Sequence, residues 1–146
     1  MQPRSEGDET KQEQLSVLVV DDDRLTSAIL SEMLSPSRVT FAQSAAGGLG
    51  RLQAGGRFDA ILCDIHMPGM NGMQFYEEVA KVSQQLASRI IFITGGGYSS
   101  EVADFLERTH SPCLAKPLES EPLRSSVTAA AHVTEVPLTG VEDGQQ

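Results

Sequence analysis

The chain has 146 residues, 40% of them apolar, with five Phe, two Tyr and no Trp, which suits one mainly aliphatic core in a single domain with tails. Its formal charge of -9 argues against nucleic acid or an anionic membrane surface as this segment's own partner, and concentrates cations near any acidic pocket. No run approaches the ~20 apolar residues of a membrane span and no signal-peptide core follows Met1, so a cytoplasmic setting is expected, with Cys63 and Cys113 reduced and buried in strands.

Residues 1–14 are polar and nearly free of large apolar groups, which predicts a disordered leader or linker, and residues 134–146 predict a tail of the same kind. Between them, strand-like and helix-like segments alternate. Val17–Val20 is a short apolar run that ends in Asp21-Asp22-Asp23. A helix follows from about Arg24 to Leu34, with Leu25, Ile29, Leu30, Met33 and Leu34 on one apolar stripe and Asp23 as its N-cap. Val39–Gln43 is a weaker strand. Ala45–Gln53 reads as a poor helix, because Gly47, Gly48 and Gly50 each cost about 1 kcal/mol relative to Ala.

Ala60–Cys63 is a strand buried on both faces that ends on Asp64 and breaks into a Pro68-Gly69, Asn71-Gly72 turn region. A helix spans roughly Met73–Leu86, with Met73, Tyr76, Val79, Ala80 and Leu86 inward. Ile90–Thr94 is the next strand, then a Gly95–Gly97 loop, then a helix of about Ser99–Arg108 built on Val102, Phe105 and Leu106. Cys113–Ala115 leads into Lys116-Pro117, and a last helix runs from about Glu121 to Val133. Five strand–helix units with right-handed crossovers predict an α/β fold, a doubly wound parallel sheet with helices on both faces.

The strand ends carry the chemistry. Ligands of such folds gather at the carboxyl edge of the sheet. If the first and third strands are neighbours, Asp21, Asp22 and Asp64 crowd one place, and two unit charges ~4 Å apart repel by about 4 kcal/mol at an effective dielectric of 20. A shared proton, a lysine or a divalent cation must relieve that. Hard oxygen ligands beside a phosphate suit Mg²⁺, Lys116 adds a positive charge, and the Thr94 hydroxyl can donate to a phosphoryl oxygen. No His or Cys stands where it would obviously attack, so the nucleophile should be a carboxylate.

Four pieces, VLVVDDD (17–23), ILCDIHMPGMNG (61–72), IIFITG (90–95) and LAKPL (114–118), together with the spacings Asp22–Asp64 of 42, Asp64–Thr94 of 30 and Thr94–Lys116 of 22, make residues 15–133 resemble a response-regulator receiver domain of two-component signalling. The resemblance implies the five-stranded flavodoxin-like (βα)5 receiver fold with strand order 2-1-3-4-5. It implies that Asp64 accepts a phosphoryl group from a phosphohistidine on a histidine kinase or histidine phosphotransfer protein, and that the domain then switches conformation. Asp22 and Asp64 would hold Mg²⁺ through side chains, Asp21 through water and His66 through its backbone carbonyl, while Thr94 and Lys116 would bind the phosphoryl group. The bond before Pro117 would be cis. Receivers often pair through the face of the fourth helix, fifth strand and fifth helix, which implies a homodimer surface there.

Two departures stand out. Receivers often carry an aromatic residue three before the lysine, where this chain has Cys113, so the usual coupling of the threonine to an output face is in question. His66 and Gly96 occupy the two positions that tune phosphoform lifetime in receivers, and His66 is expected to influence it. Two other functions compete. A haloacid-dehalogenase-type phosphatase would use Asp21 as nucleophile and Asp23 as acid, but lacks the acid pair expected after the lysine and leaves the Asp64–Pro68 loop unexplained. A receiver-shaped adaptor would bind partners without phosphorylation. The segment is either a stand-alone receiver or one cut from a longer protein. Its polar leader, Thr94-Gly95 and SPCLAKPL resemble terminal receivers of hybrid histidine kinases.

Overall fold

The computed structural model describes residues 14–133, so the expected leader and tail, apart from Gln14, lie outside the described residues. Five strands, β1 (Ser16–Val20), β2 (Arg38–Ala42), β3 (Ala60–Asp64), β4 (Ile90–Thr94) and β5 (Cys113–Ala115), form one parallel sheet in the order β2-β1-β3-β4-β5. The expected doubly wound sheet is present. Strand alternation divides its side chains between two cores. Leu18, Val20, Ile61, Cys63, Ile90 and Phe92 face one helical layer, and Val17, Val19, Ala60, Leu62, Ile91 and Ile93 face the other.

The first layer holds α2 (Ala45–Gln53), α3 (Gly72–Val82) and α4 (Ser100–Thr109); the second holds α1 (Arg24–Met33) and α5 (Ser120–Ala131). Asp23 caps α1 as expected, its side chain accepting from the Leu25 N–H at 3.0 Å. Leu30 and Leu34 are buried there and Met33 packs beside them, but Leu25 and Ile29 are 67% and 50% exposed. The five apolar positions cover about half the helix circumference, more than one contact with a sheet can bury.

The glycine-rich segment forms the expected helix over Ala45–Gln53 in spite of its weak propensity. Ser44 caps it, Leu49 and Leu52 are buried, and a Cβ on Gly48 would stand 2.9 Å from Val20 Cγ2 and 3.1 Å from Phe75 Cε1. The glycine that weakens the helix locally is what lets it approach β1, and tertiary packing outweighs propensity. The next helix is shorter than expected. Ser83 turns extended at the end of α3 and caps a separate helical turn, Gln84–Ala87. Phe75, outside the expected inward set, is fully buried, while Met73, Ala80 and Leu86 only pack at the margin. Both cysteines are free; Cys63 is buried, but Cys113 on the short edge strand is only partly so.

Candidate phosphoryl and cation site

The register that aligns Val20 with Cys63, Asp64 with Ile93 and Thr94 with Ala115 brings four strand ends to one edge. Each apolar strand carries its last residue there, so positions far apart in the chain become neighbours. Asp21, Asp22 and Asp64 each present an oxygen within 4.8 Å of the others. Lys116 follows β5, its backbone N–H donates to the Thr94 carbonyl at 2.8 Å, and its bond to Pro117 is cis, as the resemblance implied. Its Nζ lies 3.7 Å from Asp64 Oδ2 and 3.9 Å from Asp21 Oδ2. Thr94 Oγ1 donates to the Gly96 carbonyl at 3.0 Å and accepts from the Gly96 N–H at 3.4 Å.

The electrostatics are unbalanced in a specific way. Asp21 is buried; its Oδ1 accepts from the Asp23 N–H at 2.8 Å, while Oδ2 has no hydrogen-bond partner among the described residues. Burial is the main force lifting the Asp21 carboxyl above its ordinary 3.8, and the charges of Asp64 and Asp22 add to it. The Asp23 N–H and the Lys116 ammonium oppose that rise without cancelling it. A buried oxygen without a donor, within a knot of three carboxylates, fits a hard cation with oxygen ligands.

Asp21, Asp22, Asp64, Thr94 and Lys116 stand at this rim, with His66 beside Asp64 and Asp23 in its expected place as the cap of α1. The His66 N–H donates to Asp64 Oδ1 at 2.9 Å, its side chain is exposed, and it is outside the carboxylate group. Asp23 is turned away, its Oδ1 taken by the Leu25 N–H and its Oδ2 by the Thr26 hydroxyl at 3.2 Å, so it does not stand as the acid a dehalogenase-type phosphatase would need. Asn71-Gly72 is no turn. Asn71 and Gln74 form a reciprocal capping box, and a Cβ on Gly72 would lie 2.8 Å from Ile65 Cα and 2.9 Å from the Asp64 carbonyl. Gly72 thus lets α3 start directly against the end of β3. The Asn71/Gln74 spacing was the available signal for that cap.

The model of the response regulator receiver domain matches residues 17–128. The chain is 32% identical over 114 residues to the two-component response regulator ARR14 of Arabidopsis thaliana, covering 76% of this chain and 29% of that protein. It is equally identical, again over 114 residues and 76% of its length, to 14% of the sensor histidine kinase CheAY of Helicobacter pylori. The chain therefore spans less than a third of either relative. Among solved structures, a response regulator receiver domain protein from Clostridium thermocellum superposes with a TM-score of 0.72 at 24% identity, covering 80% of this chain and 94% of that one, which is a likeness of fold.

Proposed function

Because the chain belongs to the response regulator receiver domain family, we propose that it works as a phosphoacceptor switch in which Asp64 is the esterified residue. An Asp64 carboxylate oxygen attacks the phosphorus of a phosphohistidine. The new O–P bond forms as the P–N bond breaks, and the imidazole nitrogen leaves with the electron pair. Lys116 holds the charge of the phosphoryl oxygens, Thr94 donates its hydroxyl to one of them, and the His66 N–H keeps the Asp64 carboxylate oriented. Asp22 and Asp64 would hold Mg²⁺ through their side chains and Asp21 through water, with the His66 carbonyl as a further ligand. Bound there, the ion supplies charge neutralisation for the incoming phosphoryl group. The observation that carries this reading is Lys116 Nζ at 3.7 Å from Asp64 Oδ2, beside a buried carboxylate oxygen that has no hydrogen-bond donor among the described residues.

The partner is a protein bearing phosphohistidine, a histidine kinase or a histidine phosphotransfer protein. Leu25 and Ile29, exposed one turn apart on α1 just beyond the acidic rim, offer it an apolar foothold. No helix among the described residues is long and apolar enough to cross a membrane, and we place the module in the cytoplasm, where such donors present their phosphohistidines. Pairing of two copies through α4, β5 and α5 belongs to the same reading, and sedimentation velocity with and without a phosphoryl mimic tests it.

Acetyl phosphate with Mg²⁺, followed by intact mass, tests the centre of the proposal. One labile phosphoryl adduct is expected, absent in Asp64→Asn. An adduct that survives in that variant overturns it, as does steady turnover of a phosphoester.

A further inference from the structure

The edge of the sheet opposite the acidic rim carries the reverse charge. Arg38 opens β2, Arg57 and Arg89 stand just before β3 and β4, and Arg51 lies in the last turn of α2. No carboxylate among the described residues pairs with any of these four, whereas Lys81, Arg108 and Lys116 each have one. In a chain of formal charge -9, cations without acids at one edge are out of keeping with the rest of the surface.

Two cavities run along this edge. One of about 500 Å³ is lined by Arg57, Leu86 and Arg89 and the other, of about 510 Å³, by Arg51 and Gly55; Gly56 and Phe58 line both, so the two adjoin. Asp59 is the one acid in these linings, and its Oδ2 is taken by the Ser16 N–H at 2.8 Å. Arg89 donates from Nη1 to the Phe58 carbonyl and from Nη2 to the Val133 carbonyl, both at 3.2 Å, while its Nε is buried with no hydrogen-bond partner among the described residues. Two carbonyls orient this guanidinium without neutralising it, and a cation drawn that far from water ordinarily keeps an acid.

The Val133 carbonyl is also where α5 hands the chain on. Residues 134–146 contain Glu135, Glu142 and Asp143 and no Lys or Arg. A chain spans at most about 3.6 Å per residue, so Glu135 starts out within about 7 Å of Val133 and in reach of Arg89. At the opposite edge, Asp21, Asp22 and Asp64 repel the same acids.

We propose that residues 134–146 form an acidic strap on the amino edge of the sheet, with the Glu135 carboxylate on the Arg89 guanidinium and Glu142 and Asp143 set against Arg57 and Arg51. The strap closes the cavity over Arg89 and ties the end of α5 to the start of β4. Being tethered, it needs little affinity of its own, because a short linker holds it at an effective concentration on the order of millimolar. It forms whether or not Asp64 is esterified.

A nitroxide on Thr139→Cys in a Cys113→Ser background tests the strap in the full chain, since Cys63 is buried. The amide signals of Gly55, Gly56 and Arg57 are expected to be lost to broadening, and to return when Glu135→Gln, Glu142→Gln and Asp143→Asn are combined. Salt near 1 M, where screening leaves about 3 Å of range, should also bring them back. The Arg89 Nε–H signal, assigned by through-bond correlation, should shift in Glu135→Gln alone. Broadening that spares Gly55, Gly56 and Arg57, or that survives loss of the three acids, overturns the strap. So does broadening of an isotope-labelled protein by a nitroxide carried on an unlabelled copy, which puts a second molecule's segment in the groove. An Arg89 Nε–H signal that ignores Glu135→Gln overturns the pairing and leaves the cavity to an acid of another protein.

Discussion

The bodies and the tips of β1, β3 and β4 are consecutive residues built under opposite rules. Val17–Val20, Ala60–Cys63 and Ile90–Ile93 are apolar and at most 1% exposed, so burial and ladder hydrogen bonds act together. One step further along each strand, Asp21, Asp64 and Thr94 are nearly as buried yet polar, and Asp21 keeps an oxygen without a hydrogen-bond partner among the described residues. Stability is made in the strand bodies and partly given back at their tips. Local disagreement with good folding practice marks where a protein does something.

The sharpest way to separate the two regions is to damage each. Leu62→Ala, in the middle of β3, should cost about 2–5 kcal/mol by chemical denaturation while the folded fraction still forms the phosphoryl adduct. Asp21→Asn should do the reverse. It removes a charge from a buried site, so the cation-free protein should gain on the order of 1 kcal/mol at neutral pH, while Mg²⁺ binding is lost. The pH dependence follows the same sign. Because burial raises the Asp21 carboxyl above 3.8, its contribution to stability is full below that value and is lost as the pH rises through the raised one. Without Mg²⁺, the urea midpoint of the parent should therefore carry a downward component from Asp21 as the pH rises from 3.8 through the raised value, which Asp21→Asn lacks.

Smaller effects sharpen the boundary between rim and surroundings. Leu25→Ser with Ile29→Ser should leave stability within about 0.5 kcal/mol, because neither side chain is in the core. Transfer from a phosphohistidine protein should slow about tenfold, equivalent to roughly 1.4 kcal/mol of docking energy, with acetyl phosphate labelling untouched. Equal slowing with both donors would remove the foothold on α1. His66→Ala should leave folding alone and shift phosphoform decay only a few-fold; an unchanged decay rate disposes of a role for that side chain in lifetime.

Much of this was legible in the residue order. The strand runs had no helical alternative of comparable length, and their carboxylate, hydroxyl and lysine ends announced a shared edge once parallel strands were inferred. The illegible parts share a cause. Gly48 and Gly72 look like helix and turn breakers, but each is a point where a helix comes within van der Waals contact of the sheet. Leu25 and Ile29 look like core, because an apolar stripe reports the amount of greasy surface and not how much of it a neighbour reaches. Ser83 ends α3 early and restarts a turn, a break that helical periodicity runs straight across.

Composition and order alone determined the alternation of strands and helices, the acidic tips and the family resemblance, because hydrophobic period and residue chemistry are properties of neighbours in the chain. Only the folded sheet decided that Lys116 would stand between Asp21 and Asp64, and that rings from β4, α3 and α4 would stack beside Cys113. Those are contacts between residues distant in sequence. Their energies depend on separations that register and packing set, and no local pattern encodes them.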